Sequence, residues 1–164
     1  MDRADIQQIM PLMQGAPQDV ALKRWDAGDI CQCGFVEGSI AHIKWIHIGP
    51  FFIRGLGYSH DTLSNCAYSY SVYTLPVFRG RGIYKASIQF TASYLFQKGI
   101  GELIAIVMAD NAIVLHTLPS LGWQRSKSLF HCRLFGIRYT SVTDYYNRVS
   151  RHLHFRAPEE KYII

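Results

Sequence analysis

The decapeptide Pro76-Val77-Phe78-Arg79-Gly80-Arg81-Gly82-Ile83-Tyr84-Lys85 decides the fold, because it joins two stretches of opposite character. The residues before it, Cys66 to Leu75, are mostly β-favouring types, and Pro76 ends the strand that they predict. The residues after it, Ile83 to Lys98, predict a helix, because apolar residues recur there at helical spacing. The apolar residues that keep this spacing are Ile83, Ala86, Phe90, Tyr94 and Leu95. The local prediction is therefore strand, glycine turn, helix.

This turn has the composition of an anion site. The first N–H groups of a helix lack intrahelical acceptors and carry partial positive charge. Glycines let a backbone approach a phosphate closely. No Gly-Lys-Ser/Thr follows, which excludes a Walker A loop, and the third glycine of a dinucleotide fingerprint is missing. We predict a pyrophosphate site formed by Arg79, Gly80, Arg81, Gly82, Ile83, Tyr84 and Lys85.

Working outward, the sequence predicts short elements on both sides of this unit. Before it we expect helices at 7–13 and 18–25, strands at 30–36, 40–48 and 51–53, and a loop at 55–64. After it we expect a buried strand at 103–108 and a helix from Asn111, capped by Asp110, that ends near Pro119. Strands at 124–134 and 137–142 predict a closing hairpin. The basic tail, 143–164, gives no structural prediction.

Length and composition predict a single domain over 1–164 with a real core. The chain has 164 residues, of which 49% are hydrophobic and 18% charged, so disorder is not expected. A net charge of +5 suits a polyanionic partner or merely a solvated basic surface. No apolar run reaches the length of a membrane span, and Met1 to Met13 lack a signal-like apolar run. We therefore expect a cytoplasmic protein whose four cysteines are reduced.

Cys31 and Cys33, with histidines nearby, raise the alternative of a zinc site. A turn at Glu37-Gly38-Ser39 would place Cys33 opposite Ile43 and Cys31 opposite Trp45, with His42 on the other face. Only His47 shares the cysteines' face, which leaves three ligands where structural zinc takes four. We predict no metal site.

Two segments of the chain resemble the GNAT superfamily of acyl-CoA N-acyltransferases. Arg79 to Tyr84 is similar to the superfamily's Q/R-x-x-G-x-G/A signature, although Tyr84 replaces its last small residue. Asn111 to Trp123 is similar to its second cofactor segment, an Asn-led helix that ends in Leu-Gly-aromatic. The resemblance covers about Ile30 to Val142.

The resemblance implies a three-layer α+β fold, whose central sheet is mixed but mostly antiparallel, has helices on both faces and splays at the fourth strand. Only about 29 residues precede the first clear strand, so the superfamily's opening strand is absent or comes from a partner. The aromatic strand from Cys66 would then lie at an open edge, which makes a homodimer plausible. The implied co-substrate is acetyl-CoA or another acyl-CoA. Its pantetheine arm and thioester would contact Val72, Tyr73, Thr74, Asn111 and Leu115.

The implied activity is transfer of an acyl group to an amine, whose identity the sequence does not give. The superfamily's usual tyrosine acid falls on Leu118. The substitutes are Tyr73, His42 and His47, and at most one histidine faces the acceptor, since residues five apart point to opposite faces of a strand. His47 shares a face with core residues, whereas His42 shares one with Lys44, expected to be solvated. His60 and Asp61 lie in a loop that could overhang the acceptor. A CoA-binding module without activity and a nucleic-acid-associated domain remain alternatives.

Overall fold

A computed structural model describes residues 3–60, 65–134, 137–144 and 150–155. Contacts along the chain separate two compact units. The first draws on Met1–Phe51 and Asp61–Ile106, and the second on Phe52–His60 and Val107–Ile163. Within the described residues, no helix is long and apolar enough to cross a membrane.

A four-stranded sheet forms the centre of the first unit. Its spatial order is β1-β2-β5-β6, in which β1 pairs with β2 and β2 with β5 antiparallel, and β5 pairs with β6 parallel. The predicted mixed and mostly antiparallel sheet is therefore confirmed. The bounds are Ile30–Val36 for β1, Ser39–Ile48 for β2, Cys66–Thr74 for β5 and Glu102–Ala105 for β6. β6 is shorter than predicted and ends three residues early.

Helices cover both faces of this sheet. Helices α1 (Ile6–Ile9) and α2 (Gln18–Asp26) pack with Cys31, Ile43 and Trp45 on one face. Helix α3 (Ile83–Gln97) places Leu95 against Ile46 and Ala67 of the other face. Alternation along each strand explains the division, because adjacent residues point to opposite faces.

The β1–β2 hairpin has the predicted register. Cys31 pairs with Trp45 and Cys33 with Ile43, as the turn position required. Glu37 and Gly38 make that turn with positive φ angles of 50° and 78°, a conformation that matches the twist of a tight hairpin. Helices alone precede β1 in the described residues 3–29, in agreement with an opening strand that is missing there.

The position of β5 corrects one expectation. We expected the aromatic strand from Cys66 to form an open edge, but β5 lies between β2 and β6. The sheet edges are β1 and β6 instead. The argument for a homodimer that rested on an exposed β5 therefore no longer holds.

Strand β5 changes course at its centre. Its pairs with β6 run from Cys66↔Glu102 to Ser69↔Ala105 and then stop. On the other side, Trp45 pairs with Tyr70 but Ile43 pairs with Tyr73, so β5 carries one extra residue, a β-bulge, in this interval. The strand therefore separates from β6 where it bulges, as expected for a splayed sheet.

The buried side of α3 coincides only in part with its apolar residues. Leu95 is buried but Phe90 is 63% exposed, whereas the polar residues Ser87 and Thr91 are buried. These polar residues face Gln32, whose Nε2 lies 3.1 Å from the Ser87 hydroxyl and whose Oε1 lies 2.5 Å from the Thr91 hydroxyl. Polar residues on the sheet thus determine which side of α3 is buried.

The start of α3 also lies close to the sheet. A Cβ atom built on Gly34 would be 3.2 Å from the Cβ of His42 and 3.5 Å from Cγ2 of Ile83. Ile83 is the first residue of α3. Glycine at this position of β1 therefore allows the first turn of α3 to lie directly on the sheet.

The second unit contains most of β3 (Phe51–Ile53), which pairs with β4 (Tyr58–His60), helix α4 (Ala112–Thr117), and an antiparallel sheet of β7, β8 and β9. The predicted hairpin is confirmed as β7 (Lys127–Leu134) and β8 (Ile137–Asp144). Strand β4 replaces part of the predicted loop at 55–64. Strand β9 (Ser150–Phe155) pairs with β8 inside the tail, for which no structure was predicted.

Candidate active site

The glycine turn is held in a conformation that favours glycine. Residues Pro76–Phe78 form a 3₁₀ turn, after which Gly80 and Gly82 adopt φ angles of 76° and 74°. A Cβ on either glycine would meet no atom within 4 Å. The backbone conformation itself, and not a lack of space in the protein, therefore requires glycine here.

The turn leads directly into the N-terminus of α3. The first helical hydrogen bond runs from Ala86 N to Gly82 O at 3.0 Å, so the N–H groups of Ile83, Tyr84 and Lys85 precede the helical ladder. Arg81 and Lys85 are exposed beside them. Burial raises the pKa of the Tyr84 phenol, which keeps it neutral. Free N–H groups, the helix dipole and two cations together suit a doubly charged phosphate group.

Arg79 joins the turn to the end of β5. Its Nε donates a hydrogen bond of 3.0 Å to the carbonyl oxygen of Thr74. Its guanidinium carbon lies 5.5 Å from the centroid of the Tyr73 ring, within cation–π range. The predicted anion-binding residues and the predicted strand residues are therefore in direct contact through Arg79.

The strand residues Val72, Tyr73 and Thr74 lie beyond the last β5–β6 pair, Ser69↔Ala105. Their backbone groups on the β6 side have no ladder partner in the described part of the chain. A row of backbone donors and acceptors, open along one side and directed towards a glycine turn, is suited to an extended ligand with amide groups.

His42 is fully buried on the α3 face of the sheet. Its Nδ1 lies 2.8 Å from the Thr74 hydroxyl, whereas Nε2 is buried and has no hydrogen-bond partner among the described residues. Burial, with a smaller contribution from the charge of Lys44, lowers the pKa of His42 to about 4. The imidazole is therefore neutral at physiological pH.

Lys44, which shares a face of β2 with His42, was expected to be solvated but is buried. It is only 1% exposed, and its Nζ donates a hydrogen bond of 3.1 Å to the Ser87 carbonyl oxygen. Burial lowers the pKa of Lys44 to about 7. The α3 face beneath the turn thus contains a buried amine and a buried imidazole.

His47 belongs to a different group of residues, on the α1–α2 face. Its Nδ1 lies 2.6 Å from Asp29 Oδ1, and its Nε2 lies 3.1 Å from the carbonyl oxygen of Pro50. Tyr70 donates a short hydrogen bond to the other oxygen of Asp29. Burial and that carboxylate raise the pKa of Tyr70. Both nitrogens of His47 are engaged, which leaves no free lone pair for a base.

Two residues that complete this face, Asp29 and Arg24, were not among the predicted site residues. Asp29 binds both Tyr70 and His47, and Arg24 places its guanidinium carbon 5.0 Å from the centroid of the Tyr70 ring. Neither residue belongs to a motif. The only signal for Asp29 in the sequence is its position directly before β1, a strand without charged residues.

Helix α4 carries the remaining predicted contacts in the second unit. Asn111, not Asp110, is its N-cap, and its Oδ1 accepts a hydrogen bond from Val114 N at 3.3 Å. Leu115 is 40% exposed, and Leu118 is buried at the end of the helix. His60 is buried in β4, with Nδ1 3.0 Å from the Tyr58 hydroxyl, and Asp61 lies outside the described residues.

No group of three or more potential metal ligands occurs in the residues that the structure describes. Cys31 and Cys33 point to the same face, with their sulfur atoms 3.8 Å apart. The contact with Cys33 and burial raise the pKa of the Cys31 thiol.

Several solved structures of similar fold are described as acetyltransferases. The aminoglycoside 6'-N-acetyltransferase AAC(6')-IG from Acinetobacter haemolyticus aligns with a TM-score of 0.62 and 15% identity, over 82% of this chain and 94% of that one. The aminoglycoside N-acetyltransferase AAC(6')-Iy, solved in complex with CoA, aligns with a TM-score of 0.62 and 16% identity, over 82% of this chain and 96% of that one. A ribosomal-protein-alanine N-acetyltransferase from Brucella melitensis aligns with a TM-score of 0.61 and 15% identity, over 82% of this chain and 95% of that one.

No curated protein sequence matches the chain. The model of the acetyltransferase (GNAT) family, in contrast, matches residues 25–123, which is more than half of the 164 residues. These residues include the bulged strand, the glycine turn and the Asn-led helix. The chain therefore belongs to the GNAT acetyltransferase family.

Proposed function

We propose that this protein transfers an acetyl group from acetyl-CoA to an amine. One observation carries the proposal: the splayed end of β5 continues directly into the glycine turn and the N-terminus of α3, and Arg79 joins them through Thr74. This arrangement offers backbone hydrogen bonds to an extended arm and N–H groups to a pyrophosphate, which are the two halves of coenzyme A.

The pyrophosphate would accept hydrogen bonds from the N–H groups at the start of α3, with Arg81 and Lys85 supplying charge. The pantetheine arm would follow Val72, Tyr73 and Thr74, and an N–H group of this strand would polarise the thioester carbonyl. On α4, Asn111 would donate from the NH2 group of its side-chain amide, since its oxygen caps the helix. Leu115 would supply an apolar contact.

Chemistry at this site rests on positioning more than on a strong acid or base. His47 is engaged at both nitrogens, and His42 is buried on the α3 face, so neither offers an accessible base. Tyr73 is half-buried beside Arg79. A thiolate leaves readily, so a bound amine held near a polarised thioester needs little further assistance.

The first experiment is calorimetric titration with acetyl-CoA. The wild type is expected to bind, and Gly82→Asp is expected to lose binding, because it adds a carboxylate at the anion site and strains a left-handed φ. Gly99→Asp is the matched control, since Gly99 has the same φ of 74° at the other end of α3. An absence of heat with the wild type would refute the proposal.

A second candidate, a CoA-binding module without activity, draws on the buried Leu118 at the position of the family's tyrosine. A thiol-release assay over a panel of amines separates the two. The panel includes an aminoglycoside and an alanine-initiated peptide, because two similar structures are named for such acceptors. Release of CoA with any amine excludes the inactive module, whereas acetyl-CoA binding without release favours it.

A further inference from the structure

Ser71, at the bulge of β5, has a backbone conformation that is disfavoured for a residue with a Cβ atom. Its φ is 46°, and among the described non-glycine residues only Gln14 and Glu37 also have a positive φ. Those two lie in turns, where such angles are common. Ser71 lies inside a strand, so surrounding contacts must hold it there.

Arg24 of α2 supplies such a contact. Its Nη2 donates a hydrogen bond of 3.0 Å to the Ser71 hydroxyl. Its guanidinium carbon lies 5.1 Å from the centroid of the Trp45 ring and 5.0 Å from that of Tyr70, the two residues that pair immediately before the bulge. The guanidinium is thus fixed over the last regular pair and bonded to the first irregular residue.

Stability alone does not account for this arginine. Its Nη1 is buried and has no hydrogen-bond partner in the described part of the chain. A buried donor that lacks a partner is unfavourable, and this cost offsets part of what the guanidinium gains from the two rings and from the nearby charge of Asp29. The arginine is therefore better explained by the geometry that it imposes on Ser71.

We infer that Arg24 is a positioning residue for acyl transfer, which holds Ser71 in its left-handed conformation and thereby keeps the Val72 and Tyr73 backbone groups on the β6 side out of the ladder and open to a ligand. The inference rests on the proposed function, because those groups matter only if they bind the acyl-pantetheine arm. A displacement of about 1 Å in such groups is enough to weaken their contacts severely.

The test compares two ligands. Acetyl-CoA reaches both the bulge and the glycine turn, whereas 3′-phosphoadenosine 5′-diphosphate carries the pyrophosphate but no pantetheine. Arg24→Met and Ser71→Ala are expected to weaken acetyl-CoA binding about tenfold, the equivalent of the cost of one left-handed residue, and to leave nucleotide binding unchanged.

Glycine at position 71 supplies the decisive variant. Glycine adopts a positive φ without support, so Ser71→Gly is expected to bind acetyl-CoA nearly as the wild type does. The double variant Arg24→Met/Ser71→Gly is expected to recover most of the affinity that Arg24→Met loses. Recovery of this kind distinguishes control of the bulge from a general loss of packing. Lys23→Met, on the exposed side of α2, is the control.

The possible results separate the two claims. If the wild type binds neither ligand, the proposed function is refuted. If it binds both and Arg24→Met is unaffected, or if glycine at position 71 restores nothing, the role of Arg24 is refuted and the function stands. If Arg24→Met weakens the binding of both ligands equally, the role of Arg24 is also refuted. Should Arg24→Met fail to fold, Ser71→Ala against Ser71→Gly decides the question.

Discussion

The amine of Lys44 and the carbonyl of Ser87 are joined by a hydrogen bond of 3.1 Å inside the protein, where β2 meets α3. The same carbonyl lies 2.8 Å from the Thr91 hydroxyl and 3.3 Å from Gln32 Nε2. One carbonyl oxygen thus gathers three side chains from two strands and the helix. No carboxylate accompanies the amine in this contact, which makes its charge costly.

Stability should therefore rise with pH. The folded pKa of Lys44, about 7, lies below its ordinary value of 10.5, so above pH 7 the unfolded chain binds more protons than the folded one. Urea unfolding is expected to show a slope of up to about 1.4 kcal/mol per pH unit between these values. Lys44→Met should be more stable at pH 7 and lack this slope. The exposed Lys23→Met should keep it.

His42 makes a separate contribution in acid. Its folded pKa, about 4, lies below 6.5, so stability is expected to fall as pH decreases from 6.5 towards 4. Because the charge of Lys44 contributes to this shift, Lys44→Met should reduce the loss. Chemical unfolding at half-unit pH intervals measures both effects. A pH-independent stability over this range would show that His42 is solvated in the folded protein.

Asp29 and Tyr70 should be strongly coupled. Tyr70→Phe removes the phenolic donor from a carboxylate whose side chain is 8% exposed, and we expect a loss of about 1–3 kcal/mol. In Asp29→Asn the same change should cost much less. A double-mutant cycle measures the coupling energy, and additive effects would contradict it.

Two variants of Asn111 should distinguish its contribution to stability from its contribution to ligand binding. Asn111→Asp keeps an oxygen for the helix cap, whereas Asn111→Ala removes it and should cost about 1 kcal/mol. Both variants lose the NH2 group of the side-chain amide, so both should bind acetyl-CoA more weakly if that group donates to the pantetheine arm. Thermal unfolding and calorimetry report the two properties independently. Wild-type affinity in Asn111→Asp would exclude the contact.

Gly80 tests the conformation of the turn. Its φ is 76° and a Cβ would meet no protein atom, so the expected cost of Gly80→Ala is that of the backbone, about 1–2 kcal/mol. Gly80→Asn should cost less, because asparagine tolerates this region better, while Gly80→Val should cost more. Equal stabilities of the three variants would show that the turn relaxes.

Local patterns were sufficient to predict the elements that carry the site. Alternation along β1 and β2 predicted the pairing of Cys31 with Trp45, and proline, glycines and helical spacing predicted the strand, turn and helix. These features follow from backbone conformation and from the period of burial, both of which a single sequence contains.

Tertiary contacts account for what the sequence did not predict. The burial of Lys44 and the exposure of Phe90 depend on polar partners across the sheet, which periodicity treats as surface. The strain at Ser71 and the contact from Arg24 join residues 47 positions apart, and neither residue type suggests it. Asn111 caps α4 in place of Asp110, since both residue types suit the position.

Gly34 of β1 affects the position of the glycine turn, which lies nearly fifty residues later in the chain. Because its missing side chain leaves room for Ile83, the height of α3 above the sheet is set at this point. An alanine methyl would meet Ile83 at an ordinary contact distance, but a longer side chain at position 34 would push against the first turn of the helix and displace the glycine turn with it. The distance between the turn and the bulged strand would then increase, and a ligand of fixed length that contacts both would no longer match it.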